Sequence, residues 1–67
     1  MFAHGDYVAG RGTVVGTFGT VYVFSRIDSR GTRVFDAVDY TENEHGAQIA
    51  TFYGVKEAKS YASEYGR

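Results

Sequence analysis

The fold is decided by residues 21–40, which read VYVFSRIDSRGTRVFDAVDY. The first seven are rich in β-branched and aromatic residues and alternate in the manner of a strand. Successive side chains of a strand point to opposite faces, and the two sets are Val21, Val23 and Ile27 against Tyr22, Phe24 and Arg26. Because both sets carry apolar groups, we expect this strand to lie centrally in a sheet that is covered on both faces.

The next residues predict a tight turn and a returning strand. In Asp28-Ser29-Arg30-Gly31, aspartate suits the first position of a turn and glycine supplies the positive φ of a bulged hairpin. Residues 33–40 are then predicted to pair antiparallel with residues 21–27.

The remaining elements follow from glycine punctuation and periodicity. Further strands are predicted at residues 7–9, 13–18 and 47–53, and a polar, acidic loop at residues 41–46. After Gly54 the period changes to that of a helix, with Val55, Ala58, Ala62 and Tyr65 on one stripe, ending near Gly66. The predicted fold class is α+β and mainly β. It is a four- to five-stranded antiparallel meander or SH3-like small barrel with one C-terminal α-helix, forming a single domain over residues 1–67.

Two short segments resemble known folds. Gly5-Asp6-Tyr7-Val8, followed by Gly12-Thr13-Val14-Val15-Gly16, resembles the opening of many SH3-like small barrels. The run 31–35, with Thr51-Phe52 and a helix from Lys56, is similar to the sheet-plus-helix domains of the AP2 and integrase-arm type. The second resemblance implies DNA recognition by an exposed sheet face, although the arginine-rich strands of those domains are mostly missing here.

Composition narrows the possible functions. The 67 residues include no cysteine, which excludes disulfides and thiolate zinc sites, and the net charge is −1. The two histidines, His4 and His45, have no metal-ligand spacing, and Gly10-Arg11-Gly12 lacks the following helix that a phosphate loop needs. We therefore expect no enzyme, no cofactor and no metal site. No apolar run has the length of a membrane span and no signal peptide is recognised, so we expect a cytoplasmic protein.

Charge is segregated along the chain. Residues 11–33 hold four arginines and one aspartate, whereas residues 36–44 hold four carboxylates and no cation. The second group predicts an acidic edge that binds a basic protein surface. Its candidate partner-binding residues are Asp36, Asp39, Tyr40, Glu42 and Glu44. The alternative is that the opposite charges pair across neighbouring strands and serve no partner.

A second candidate surface combines arginine with aromatic rings. A sheet face of this kind stacks bases while it neutralises phosphates. Its candidate nucleic-acid-binding residues are Tyr22, Phe24, Arg26, Arg30 and Arg33. The competing interpretation, which a net negative chain favours, is that these rings form the second half of the core, under the helix or at a dimer interface.

The sequence thus predicts a protein-binding module and leaves two alternatives open. A short chain without cysteine that carries exposed carboxylates resembles the small, anti-CRISPR-like inhibitors of phages and mobile elements, which occupy nucleic-acid-handling proteins. The first alternative is direct nucleic-acid binding. The second is a structural subunit of a homo-oligomer, because Phe18, Tyr53, Tyr61 and Tyr65 add more aromatic surface than a small core can bury. A homodimer is the simplest such assembly.

Overall fold

The computed structural model describes residues 2–65. Its backbone forms five strands and one helix, with every neighbouring strand pair antiparallel and the strands ordered as in the sequence. The elements are β1 (Tyr7–Val8), β2 (Gly12–Phe18), β3 (Val21–Ile27), β4 (Arg33–Asp39), β5 (Ala47–Phe52) and α1 (Val55–Tyr65). The predicted fold class is confirmed, and the strand order is that of the meander.

The β3–β4 hairpin is the centre of the sheet. All seven residues of β3 pair with β4 without a break, from Val21 opposite Asp39 to Ile27 opposite Arg33. Asp28 closes the turn because its Oδ1 accepts hydrogen bonds from two backbone amides, those of Arg30 and Thr32, both at 2.9 Å. Gly31 has φ of +82°, which is the conformation predicted for it.

Both faces of the sheet are covered, so the molecule has two cores. The helix-side core lies under α1 and consists of Val21, Val23, Ala58 and Ala62 with partly buried Val15, Phe18, Phe35, Ile49 and Phe52. The aromatic core lies on the opposite face and consists of Val14, Tyr22, Phe24, Val38 and Tyr40 with partly buried Phe2 and Val8. A central β3 with two covered faces is confirmed.

Two irregularities in the sheet supply the helix-side core with extra side chains. The register shifts between Val14 and Gly16 in β2, which leaves Val15 unpaired, and a second shift leaves Ile49 of β5 unpaired. Both unpaired residues pack into the helix-side core. A bulge of this kind places two consecutive residues on one face, which a strict period of two does not predict.

The helix is attached through its small residues. Ala58 and Ala62 are buried as predicted, whereas Val55 and Tyr65, at the ends of the same stripe, are exposed. The predicted end of the helix near Gly66 lies outside the described residues. Within residues 2–65 no helix is long and apolar enough to cross a membrane. The cytoplasmic location stays a prediction.

The N-terminal segment and two loops close the aromatic core. Phe2 packs edge-on against Tyr22 and Tyr40, with ring centroids 5.3 Å away in each case. Arg11, in the β1–β2 turn, donates from Nη2 to the carbonyl oxygens of His45 and Gly46, both at 3.2 Å. These bonds tie the β1–β2 turn to the β4–β5 loop across the aromatic core.

Candidate binding surfaces at the two ends of the sheet

Some of the charges that are segregated in the sequence lie at opposite ends of the sheet. Arg33 begins β4 beside the β3–β4 turn, and Asp39 ends it beside the β4–β5 loop. Six steps along a strand correspond to about 20 Å. Each end therefore presents its own surface, and the two are described separately.

Asp36 is not part of an acidic edge, which corrects the prediction for this residue. Its side chain is only 2% exposed, and Arg26 donates to it from Nε at 2.5 Å. Thr51 Oγ1 at 2.7 Å and Gln48 Nε2 at 3.3 Å donate to its other oxygen. A carboxylate whose two oxygens are occupied inside the protein has no free acceptor for a partner. Here the interpretation of charge pairing across strands is the correct one.

Tyr40 is also unavailable, because its ring is buried in the aromatic core. It lies in contact distance of Phe2, Tyr22 and Phe24. The prediction that Tyr40 contacts a partner beside the carboxylates is therefore corrected to a structural role.

Asp39 is held in its charged form at the end of β4. Its Oδ1 accepts two hydrogen bonds from Thr41, one from the hydroxyl at 2.6 Å and one from the backbone amide at 2.9 Å. The hydroxyls of Thr41 and Thr20 are 2.7 Å apart, so Thr20 donates to Thr41 when Thr41 donates to Asp39. The hydrogen bond from the Thr41 hydroxyl, followed by the one from its amide, lowers the pKa of Asp39.

Glu42 and Glu44 extend from the β4–β5 loop into solvent. In the part of the chain that the structure describes, no lysine or arginine pairs with either, and His45 Nε2 lies 3.6 Å from Glu44 Oε1. A groove of about 590 Å³ opens between the loop and the end of the sheet, lined by Asp39, Thr41, Glu42, Asn43 and Ala47. We call Asp39, Glu42 and Glu44 the acidic end.

The predicted arginine-aromatic face does not exist as an exposed surface. Tyr22 and Phe24 are buried, so neither ring can stack on a base. They do form the second half of the core, as the competing interpretation expected, but on the face opposite α1 rather than under it. Arg26, on the same face, is engaged by Asp36, and that hydrogen bond raises the pKa of Arg26. Arg30 and Arg33 are exposed at the far end of the hairpin.

A different surface combines arginine with exposed rings, and the sequence reasoning missed it. A groove of about 370 Å³ lies on the sheet beside the β3–β4 turn. We call it the cationic groove and define it by Tyr7, Arg11, Thr13, Ser25, Ile27 and Arg33. Tyr7 pairs with Thr13, Thr13 with Ser25, and Ile27 with Arg33, so these side chains are neighbours across four strands. Only the register between strands could have revealed this group.

The remaining predicted features have the following positions. Tyr53, Tyr61 and Tyr65 are exposed around α1, with Tyr61 packed 5.3 Å from Phe52, and Phe18 is half-buried in the helix-side core. The homodimer stays a prediction. Over residues 2–65, no three histidine, cysteine or carboxylate side chains come together in an arrangement that could hold a metal ion.

Comparisons with protein-family models, with curated proteins and with solved structures give no match for this chain. The class defined by its architecture is that of a small α+β domain in which a five-stranded antiparallel meander carries one helix.

Proposed function

We propose that this chain is a non-enzymatic binding module that forms a stoichiometric complex with a larger protein, which it contacts through the acidic end. The partner's surface is basic, as in proteins that handle nucleic acid. In this proposal the chain is a small inhibitor or adaptor of the kind that phages and mobile elements carry. Its carboxylates occupy positions in the partner that phosphates otherwise take.

The observation that carries the proposal is that, among the described residues, no lysine or arginine forms an ion pair with a carboxylate of the acidic end. Glu42 and Glu44 are exposed without an ion-paired lysine or arginine in residues 2–65, and hydrogen bonds from Thr41 lower the pKa of Asp39 beside them. Arg33, at the start of β4, is about 20 Å away along the strand, beyond the roughly 8 Å over which charges act at physiological salt. The nearer cation is Arg11, which bonds to the loop carbonyls of His45 and Gly46 and lines a groove with Glu44. Three carboxylates against this one arginine leave the acidic end with a net negative charge, which steers and orients a basic partner.

The loop that carries the two glutamates is held in place before any partner binds. Asn43 Oδ1 accepts the amide of His45 at 2.8 Å, and Arg11 holds the carbonyl groups of His45 and Gly46. Arg11 bonds to these carbonyls rather than to a carboxylate, and it lines one groove with Glu44. A loop ordered in advance loses less conformational entropy on binding, which favours affinity.

The proposal is tested by affinity capture from a lysate of the source organism, with and without nuclease. The test variant is Glu42→Lys with Glu44→Lys. Its control, Glu57→Lys with Glu64→Lys, changes two exposed helix carboxylates and shifts the net charge equally. We expect one protein to be captured by the wild type and the control after nuclease treatment, and not by the test variant. Equal capture by both variants would contradict the proposal, as would capture that nuclease abolishes.

A further inference from the structure

The cationic groove has the composition of a ligand site, and the proposed function makes no use of it. Tyr7 is 74% exposed and Ile27 is 52% exposed. They lie beside Arg33 and Arg11 in one groove. An exposed aromatic ring, an aliphatic side chain and two guanidinium groups are thus presented together to solvent.

Arg11, Arg30 and Arg33 are outside ion pairs in the described part of the chain. Among residues 2–65, Arg26 is the only arginine in an ion pair. Arg33 donates to the Ser25 hydroxyl, and Arg11 donates to backbone carbonyls, both of which are neutral acceptors. Asp28 is the nearby carboxylate of the turn, and its Oδ1 is taken by the amides of Arg30 and Thr32. Arg30 and Arg33 against Asp28 give the end of the hairpin a net positive charge, which an anionic ligand can neutralise.

We propose that the cationic groove binds single-stranded nucleic acid, with Tyr7 stacking on a base and Arg11, Arg33 and the neighbouring Arg30 contacting phosphates. Stacking on an aromatic side chain and neutralisation of the backbone by arginine are the two main contributions to such binding. An acidic protein segment would satisfy the arginines but would leave the Tyr7 ring without a planar partner. The proposal goes beyond the proposed function, because the groove contains none of the carboxylates of the acidic end. Arg11, which also orders the acidic loop, is left unchanged in the test, so the two proposals can fail independently.

The net charge of −1 limits the affinity that we expect between the cationic groove and nucleic acid. The acidic end repels a polyanion, so binding is confined to the groove and to a few phosphates. Each phosphate neutralised on a single strand contributes about −0.7 to the slope of log affinity against log salt. Two or three contacts predict a slope between about −1.4 and −2. Binding is therefore measured at low ionic strength and then followed as salt is added.

The test is fluorescence anisotropy with a labelled oligothymidine of roughly 12 nucleotides. Tyr7→Ala is expected to weaken binding by roughly 5- to 150-fold, the range for loss of one stacked base. The matched control is Tyr53→Ala, which removes a tyrosine that is 71% exposed outside the groove, and it leaves the affinity unchanged. Arg33→Gln is expected to reduce the salt slope by about 0.7. Circular dichroism of each variant checks that the fold is retained.

Three results would overturn the proposal. The first is no binding of the oligonucleotide at low salt. The second is equal binding by Tyr7→Ala and the wild type. The third is binding of a poly-glutamate peptide that competes with the oligonucleotide and is insensitive to Tyr7→Ala, which would assign the groove to acidic proteins. Because Glu42→Lys with Glu44→Lys leaves the groove residues intact, loss of protein capture in that variant bears only on the proposed function.

Discussion

Arg26 Nε and Asp36 Oδ2 lie 2.5 Å apart on the aromatic-core face of the β3–β4 hairpin. The two residues are diagonal neighbours, because Asp36 pairs with Phe24 and Arg26 pairs with Val34. This contact removes one charge from each of the two segregated groups in the sequence. The acidic end therefore consists of three carboxylates. Of the three arginines outside ion pairs in the described chain, Arg30 and Arg33 lie at the opposite end and Arg11 is bonded to the β4–β5 loop.

Replacing Arg26 is expected to lower the free energy of unfolding more than replacing Asp36. Asp36 is 2% exposed, whereas the Arg26 side chain is 35% exposed and can return to water. Arg26→Met leaves a buried carboxylate without its cation and should lower the free energy of unfolding by about 3 kcal/mol. Asp36→Asn keeps an acceptor for Thr51 and should cost about 1–2 kcal/mol. Urea denaturation measures both, and a larger loss for Asp36→Asn would contradict this account.

Gly46, in the β4–β5 loop, is expected to tolerate alanine poorly. Its φ is +80°, and a methyl group there would lie 2.6 Å from Cγ1 of Val38 and 2.7 Å from Cζ of Tyr40. Gly19 has a similar φ of +66° but open space around it, so Gly19→Ala measures the backbone strain alone, about 1 kcal/mol. Gly46→Ala should cost about 1–3 kcal/mol more. Thermal unfolding of the two variants gives the comparison, and equal melting temperatures would show that the contact is unimportant.

Part of the decrease in stability at low pH is expected to come from Asp39. Its pKa is lowered from the ordinary value of 3.8 by Thr41, so the folded state binds this proton less readily than the unfolded chain. The resulting stabilisation is fully present above the unfolded pKa and is lost as the pH falls through the lower, folded pKa. The Asp39→Asn variant has no carboxyl group at this position and therefore lacks this pH-dependent stabilisation. The difference in unfolding free energy between wild type and variant should stay constant from neutral pH to about pH 5 and then shrink towards about pH 2. A constant difference throughout would refute the prediction.

Phe2 is expected to contribute to stability although it lies outside the strands and the helix. It covers the aromatic core through edge-on contacts with Tyr22 and Tyr40 at 5.3 Å. Phe2→Ala should cost about 2–3 kcal/mol, somewhat less than for a fully buried ring. Tyr53→Ala, at an exposed position, should change stability by less than about 0.5 kcal/mol. Chemical denaturation of both variants checks this, and similar midpoints would mean that Phe2 does not cover the core.

The strand pattern could be predicted from the sequence because alternation and turn chemistry agree locally. The bounds of β3 follow from its alternation, and the Asp28 turn follows from its aspartate and glycine. The two bulges could not be predicted in this way, because a shift of one residue leaves the composition of a strand unchanged.

The candidate sites were harder to predict because they depend on which face each residue occupies. Asp36 has the same parity as Val34, Val38 and Tyr40, all of which are buried. That parity was a usable signal, but grouping the carboxylates by their proximity in sequence concealed it. The cationic groove could not be recognised from any short stretch of sequence. Tyr7 and Arg33 lie on the first and fourth strands and line one groove only because of the register of three strand pairs.

The most direct test of the central claim is the dissociation constant for the captured partner, measured by titration calorimetry with purified proteins. The wild type is compared with Glu42→Lys/Glu44→Lys and with the equally charged control Glu57→Lys/Glu64→Lys. The account predicts a stoichiometric complex that the first variant weakens by at least about tenfold and that the control leaves within about twofold. Equal affinities for the two variants would contradict the claim that the acidic end forms the interface.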